Sequence, residues 1–151
     1  MNQQTTELAP VTKAVTVNRS LEEAFRIFTE GIATWWPLET HSIHHDRATT
    51  VVLETRVGGR LYEVSEEGKE EDWGKVTAWE PPHRLACEWR LPPGSPIATV
   101  LEVRFLPDGE GTRVELEHRG WERHGDGAAE LRGRYVQGWD VVLGRYVAAA
   151  G

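Results

Sequence analysis

The chain opens on a two-residue alternation: from Val11 to Val17, Val11, Val15 and Val17 share one face while Thr12 and Thr16 share the other. That is the period of a strand with one buried face, so a first strand is predicted there. The period then lengthens. Leu21, Ala24, Phe25, Phe28 and Ile32 recur at helical spacing and predict a helix with one apolar stripe. Ser20 and Glu23 fit a capping box, in which the serine side chain and the glutamate each take a free backbone N–H at the helix start. Gly31 suits a left-handed helix end, and Thr34 to Trp36 a further short turn stopped at Pro37.

Six more strands follow from the pattern: Thr49–Val57, Arg60–Val64, Trp73–Trp79, Arg84–Trp89, Thr99–Leu106 and Thr112–His118. Gly58-Gly59 reads as a two-residue hairpin turn, and Pro81-Pro82 and Pro107-Asp108-Gly109 punctuate the later strands. Strands joined this tightly are antiparallel neighbours. Within the last two, the alternation predicts Leu101, Val103, Val114 and Leu116 buried. It predicts Glu102, Arg104, Glu115 and Glu117 exposed, with opposite charges facing one another across the ladder. His118 continues the inward face.

Leu131, Tyr135, Trp139, Val142 and Tyr146 return to helical spacing and predict a long helix from about Asp126 to Ala149, with Trp139 toward the sheet. Gly133, Gly138 and Gly144 each cost such a helix about 1 kcal/mol relative to alanine, which a close approach or a bend near Gly138 would compensate. The succession predicts an α+β fold: a curved seven-stranded antiparallel sheet wrapped around a long C-terminal helix. One domain is expected over residues 11–150, after a flexible stretch at residues 1–10. Because a curved sheet and a single helix meet along a line, their flanks leave room for an interior cavity.

Composition narrows what that cavity serves. A formal net charge of −7 with no basic run argues against nucleic acid or an anionic membrane as partner. The acidic residues Glu66-Glu67 and Glu70-Glu71-Asp72 flank Gly68 as a solvated turn. Membrane insertion is not expected, since no apolar run nears the roughly 20 residues a helix needs to span a bilayer. The start of the chain has no signal-peptide pattern and the single cysteine, Cys87, allows no internal disulfide, so a cytoplasmic protein is expected, with Cys87 a small core residue. No nucleotide-binding glycine loop and no GxSxG elbow occurs, so no cofactor and no serine hydrolase of that type is expected.

Seven tryptophans outnumber the phenylalanines and tyrosines together, and residues with a broad apolar face and a polar handle suit the walls of a partly wet pocket. Trp35, Trp36, Trp73, Trp89, Trp121 and Trp139 are the candidate walls, with Tyr135 beside them and His41 at the entrance. His118 points inward and must find a partner, either a structural hydrogen bond or a ligand. Catalysis by His118 would need an orienting carboxylate, for which Glu63 and Glu88 are the candidates. His41, His44, His45 and Asp46 are metal-ligand types in a group, but their spacing fits no zinc motif and no metal is expected.

Several short motifs occur in a fixed order: Trp35-Trp36-Pro37, Val57-Gly58-Gly59-Arg60-Leu61, Trp73-Gly74-Lys75-Val76, and Pro81-Pro82-His83-Arg84-Leu85 leading to Trp89. Gly111-Thr112-Arg113-Val114, His118-Arg119-Gly120-Trp121 and Gly138-Trp139 complete them. In this order they resemble the START-like or SRPBCC superfamily, and within it the homologues of the activator of the heat-shock protein 90 ATPase. The resemblance implies a helix-grip fold, like that of the birch pollen allergens, with a deep pocket used for lipids, hydrophobic metabolites or aromatic polyketide chemistry. The chaperone-activating members carry a further N-terminal domain, whereas the first strand here begins at Val11, so a chaperone partner is not expected. The leading expectation is a module that binds a small hydrophobic molecule. The alternatives are a polyketide cyclase or dehydratase using His118, and a protein-interaction module related to the chaperone activators. The sequence leaves homodimerisation open.

Overall fold

A computed structural model describes residues 8–90 and 95–151, and its alternating segments form one seven-stranded antiparallel sheet. The strands are β1 (Val11–Val17), β2 (Ala48–Leu53), β3 (Arg60–Ser65), β4 (Glu70–Glu80), β5 (Arg84–Trp89), β6 (Thr99–Asp108) and β7 (Gly111–Arg119). Their order is β1-β7-β6-β5-β4-β3-β2, so consecutive strands from β2 to β7 are neighbours and β1 returns beside β7. Three α-helices among the described residues, α1 (Leu21–Thr29), α2 (Ile32–Trp35) and α3 (Ala128–Ala150), complete the helix-grip architecture.

Of the stretch expected to be flexible, residues 1–7 lie outside the described residues. Residues 8–10 are tied down: Leu8 packs on the core, and Arg132 of α3 donates to the carbonyls of Ala9 and Pro10.

The start of α1 forms half of the reciprocal cap. Ser20 Oγ accepts the Glu23 N–H at 3.2 Å, but the Glu23 carboxylate takes the Ser20 hydroxyl rather than its backbone N–H. Gly31 is not left-handed, with φ −87°. It is glycine because a Cβ would lie 2.8 Å from the Ile27 carbonyl oxygen, so only a residue without one fits against the end of α1.

The predicted Gly58-Gly59 hairpin is instead a six-residue connection, residues 54–59. Strand β2 ends at Leu53 because Gly58 N–H donates to Val76 O and Val76 N–H to Gly59 O, both at 2.8 Å, which draws the loop onto β4. Glu54 closes it by accepting the Arg60 N–H at 2.8 Å. Val57, expected within a strand, is consequently exposed in the loop.

Leu101, Val103, Val114 and Leu116 are buried and Arg104 is exposed, as the alternation requires. Glu115 and Glu117 are half-buried, and Glu102 departs from expectation altogether at 4% exposure. It lies on the outer face but under arginines from three strands: Arg84 of β5, Arg104 of β6 and Arg119 of β7. Burial alone would raise its pKa; the Arg84 and Arg119 hydrogen bonds and the Arg104 charge outweigh that and hold it below the ordinary value.

On the concave face, Phe25 and Phe28 of α1 meet Phe105 of β6 edge-on at 5.1 and 5.6 Å between ring centres, and Phe28 meets Tyr146 of α3 at 5.0 Å. Such pairs contribute about 0.5–1.5 kcal/mol each beyond the area they bury. Tyr146 Oη donates to Ala24 O at 2.9 Å, fixing α3 against α1. Lys13, inward-facing on β1, reaches Asp140 at 2.9 Å and ties α3 to the sheet edge. Cys87 is buried, and burial pushes its thiol pKa up to about 12, so it is core and not a nucleophile at neutral pH.

Candidate functional site

Trp89 ends β5 facing α3, and α3 presents Tyr135, Trp139 and Val142 on successive turns of the stripe read from the sequence. With Trp36 and Ile43 of the loop after α2, they bound a partly open cavity of about 660 Å³. Arg134, His41, Ser42, His45 and Gly138 complete its lining.

The cavity thus lies between α3 and the loop carrying residues 36–45, not deep between helix and sheet. Five of the candidate site residues, Trp36, His41, Trp89, Tyr135 and Trp139, lie on its wall. Trp35, Trp73, His118 and Trp121 do not: they fill the space behind it. Trp73 packs against both Trp36 and Trp89, with ring centres at 5.0 and 5.9 Å, and Trp121 lies 4.2 Å from the ring of His118. These large rings interdigitate, which moves the open volume toward the mouth of the fold.

Each of the six candidate tryptophans finds its N–H acceptor inside the protein. Trp35 donates to Ile27 O, Trp36 to His41 O, Trp73 to the Glu63 carboxylate, and Trp121 to His118 O. Trp89 donates to Tyr135 Oη at 2.9 Å and Trp139 to His118 Nδ1 at 3.1 Å. A molecule in the cavity therefore meets indole faces rather than indole donors.

His118 has no exposed surface. Its Nδ1 accepts from Trp139, and its Nε2 faces Thr99 Oγ1 at 2.7 Å, whose own proton goes to Trp89 O. Burial, with a smaller push from His124, lowers its pKa to about 3. A neutral imidazole with both nitrogens occupied by protein holds β7, β6 and α3 together and has no lone pair left for a substrate.

Neither carboxylate proposed to orient His118 reaches it. Glu88 pairs with Arg90 at 3.5 Å. Glu63, with no exposed surface, accepts from Trp73 Nε1 at 2.7 Å and from the backbone N–H groups of Ile43 and His44 at 2.6 and 2.9 Å. It is the anchor of the cavity loop, and the sequence signal for it was available: an inward position on an alternating strand occupied by a carboxylate, which must be paired.

The histidines of that loop diverge. His41 packs against Gly138, and its Nδ1 lies 2.6 Å from Thr40 Oγ1. Burial lowers its pKa, Glu39 opposes, and the charges of Arg145 and His45 add to the lowering. His44 turns toward Glu71 at 3.8 Å, while His45, at φ 53°, is exposed on the cavity rim. Among the described residues no three His, Cys, Asp or Glu side chains converge as a cation site requires.

Residues 18–150 match the family described as activator of Hsp90 ATPase homolog 1-like protein. The chain belongs to that family. No curated protein matches it. Among solved structures, it is similar to an anthrahydroquino-γ-pyrone synthase, Txn09, at 42% identity over 82% of this chain and 84% of that one, with a TM-score of 0.59. It is also similar to CalC of Micromonospora echinospora, a self-sacrificing resistance protein, at 31% identity over 94% of both chains and a TM-score of 0.67. The Bacillus halodurans protein BH1534, at 20% identity and a TM-score of 0.69 over 97% of this chain and 99% of that one, shares the fold. No helix among the described residues is long and apolar enough to cross a membrane.

Proposed function

We propose that this family member binds a planar polycyclic aromatic molecule in the cavity between α3 and the loop of residues 36–45. The observation that carries the reading is the wall: Trp36, Trp89, Trp139 and Tyr135 present ring faces around about 660 Å³ while their indole N–H groups are engaged elsewhere. A volume in the range of small-molecule sites, lined by π faces, suits a flat aromatic body over a flexible lipid tail. The 42% identity to a protein described as an anthrahydroquino-γ-pyrone synthase supports the same class of molecule. The test is a titration with anthracene-2-sulfonate. Saturable quenching of tryptophan emission and a raised melting temperature support the reading, because a ligand selective for the folded state stabilises it. Neither change at saturating probe overturns it.

A second reading, that the bound molecule is also converted, is favoured by the description of that same relative as a synthase. In it His41, on the cavity wall with a lowered pKa, serves as the proton acceptor in place of His118. Its test is ring closure of 2′-hydroxydibenzoylmethane to flavone with loss of water. Acceleration that His41→Gln abolishes supports conversion; a rate equal to buffer leaves binding alone.

A further inference from the structure

The polar groups on the cavity wall differ in whether their donors are used. Ser42 Oγ donates to Leu38 O at 2.6 Å, while Arg134, exposed to solvent, gives one of its N–H groups to Glu130 at 3.1 Å. The indole N–H groups of Trp36, Trp89 and Trp139 are bound as described. Among the hydroxyl and indole groups of the wall, Tyr135 is different. Its hydroxyl oxygen accepts from Trp89 Nε1 at 2.9 Å, and since an indole nitrogen is a donor only, that bond uses the oxygen and leaves the hydroxyl proton unspent. Among the described residues no acceptor takes that proton.

Resting on the reading of the cavity as an aromatic site, we propose that Tyr135 selects ligands bearing a carbonyl acceptor, a quinone or aryl ketone, by donating its hydroxyl proton to that oxygen. Three features make the phenol suited to this. The Trp89 N–H polarises the hydroxyl, and a donor that is itself an acceptor in a chain of hydrogen bonds is strengthened. Burial raises the Tyr135 pKa, against a smaller lowering by Trp89, so the proton is present throughout the physiological range. The ring is also held in place, edge-on to Trp89 at 6.3 Å and 5.1 Å from both His118 and Trp121, so the hydroxyl needs little ordering when a ligand arrives. A planar hydrocarbon in the same place would displace whatever solvent satisfies that donor without replacing its acceptor, and would lose affinity accordingly.

The experiment compares two probes matched in size and charge, anthraquinone-2-sulfonate and anthracene-2-sulfonate, on wild-type protein and Tyr135→Phe. One net hydrogen bond is worth roughly a fivefold preference for the quinone in wild-type protein. Tyr135→Phe should reduce that ratio to near one with anthracene-2-sulfonate affinity little changed. The carbonyl stretch of bound quinone, measured by infrared difference, should lie lower in wild-type protein than in Tyr135→Phe; on wild type alone it should lie lower than in hydrocarbon solvent, which keeps the test intact if the variant folds poorly. Equal affinity for the two probes in wild-type protein, or an unshifted carbonyl, overturns the selection by Tyr135 and leaves the aromatic site standing. Binding of neither probe overturns both.

Discussion

The indole N–H of Trp139 donates to Nδ1 of His118 at 3.1 Å, and because an indole nitrogen cannot accept, the contact fixes His118 as the neutral tautomer protonated on Nε2. That one bond converts the most catalytic-looking histidine of the sequence into a structural cross-link between β7 and α3. It also moves the chemistry of the fold to the mouth of the cavity, where Tyr135 and His41 stand.

The cross-link has a pH signature. With a folded pKa of about 3 against an ordinary 6.5, His118 stays neutral in the folded protein while the unfolded chain takes up a proton below about pH 6.5. Stability from this group is whole above pH 6.5 and falls with pH toward 3, at up to about 1.4 kcal/mol per pH unit. His118→Asn keeps an acceptor near Trp139 but does not titrate. Urea denaturation from pH 7 to pH 4 should show a shallower acid loss in the variant, at a cost at neutral pH of about 1–3 kcal/mol. An identical pH slope in both proteins would contradict the buried neutral assignment.

Glu102 gives a second, separable acid effect. Its pKa is held below the ordinary value in the folded state, so its contribution is present above the unfolded carboxylate range, near pH 4.5, and lost below it as the folded group protonates. Glu102→Gln should lower stability at pH 7 and flatten the profile below about pH 4.5, leaving the region above pH 5 parallel to wild type.

Glu63→Gln should loosen the cavity loop. The amide oxygen can keep the two donors now on Oε1, the Ile43 N–H and Trp73 Nε1, but its own NH₂ must then face the His44 N–H, a loss of about 1–3 kcal/mol. Hydrogen exchange at the Ile43 and His44 amides should accelerate more than exchange in β6 and β7, and anthracene-2-sulfonate should bind more weakly. Uniform acceleration through the sheet would mean that Glu63 supports the whole core instead.

Gly138 should be a plug position. A Cβ there would meet His41 Cδ2 at 3.7 Å, an ordinary contact, and a helical glycine replaced by alanine gains up to about 1 kcal/mol, or roughly 2–4 °C in melting temperature. Gly138→Ala should therefore be as stable as wild type or more so. Gly138→Leu should fill the cavity and weaken binding of anthracene-2-sulfonate by at least about tenfold, the equivalent of 1.4 kcal/mol. Unchanged binding in Gly138→Leu would place the ligand elsewhere.

The fold was largely legible because its strands have one dry face each, so the alternation at Val11–Val17, Thr99–Leu106 and Thr112–His118 carries the register directly. The misreadings have local causes. Gly58-Gly59 looked like a hairpin because the hydrogen bonds that bind the loop to Val76 are made to a different strand. Glu102 looked exposed because the alternation records which face a side chain leaves by, not the arginines of the two neighbouring strands that cover it. At the site, the composition pointed to an aromatic enclosure, but no spacing distinguishes Trp89, on the cavity wall, from Trp73 packed behind it. That depends on how the rings of β4, β5 and α3 interdigitate. The role of His118 was hidden for the same reason, since its partner Trp139 lies 21 residues away on another element.

The most direct measurement of the central claim uses the seven tryptophan indole N–H signals, one for each residue, in a proton–nitrogen correlation spectrum during titration with anthracene-2-sulfonate. Trp36, Trp89 and Trp139 line the cavity, whereas Trp79 packs against Phe25 away from it. An aromatic ligand stacked within the wall shifts the indole signals of Trp36, Trp89 and Trp139 with one common saturation curve and leaves that of Trp79 in place. Signals that do not move at saturating probe, or a shift confined to Trp79, would contradict an aromatic-binding cavity between α3 and the loop of residues 36–45.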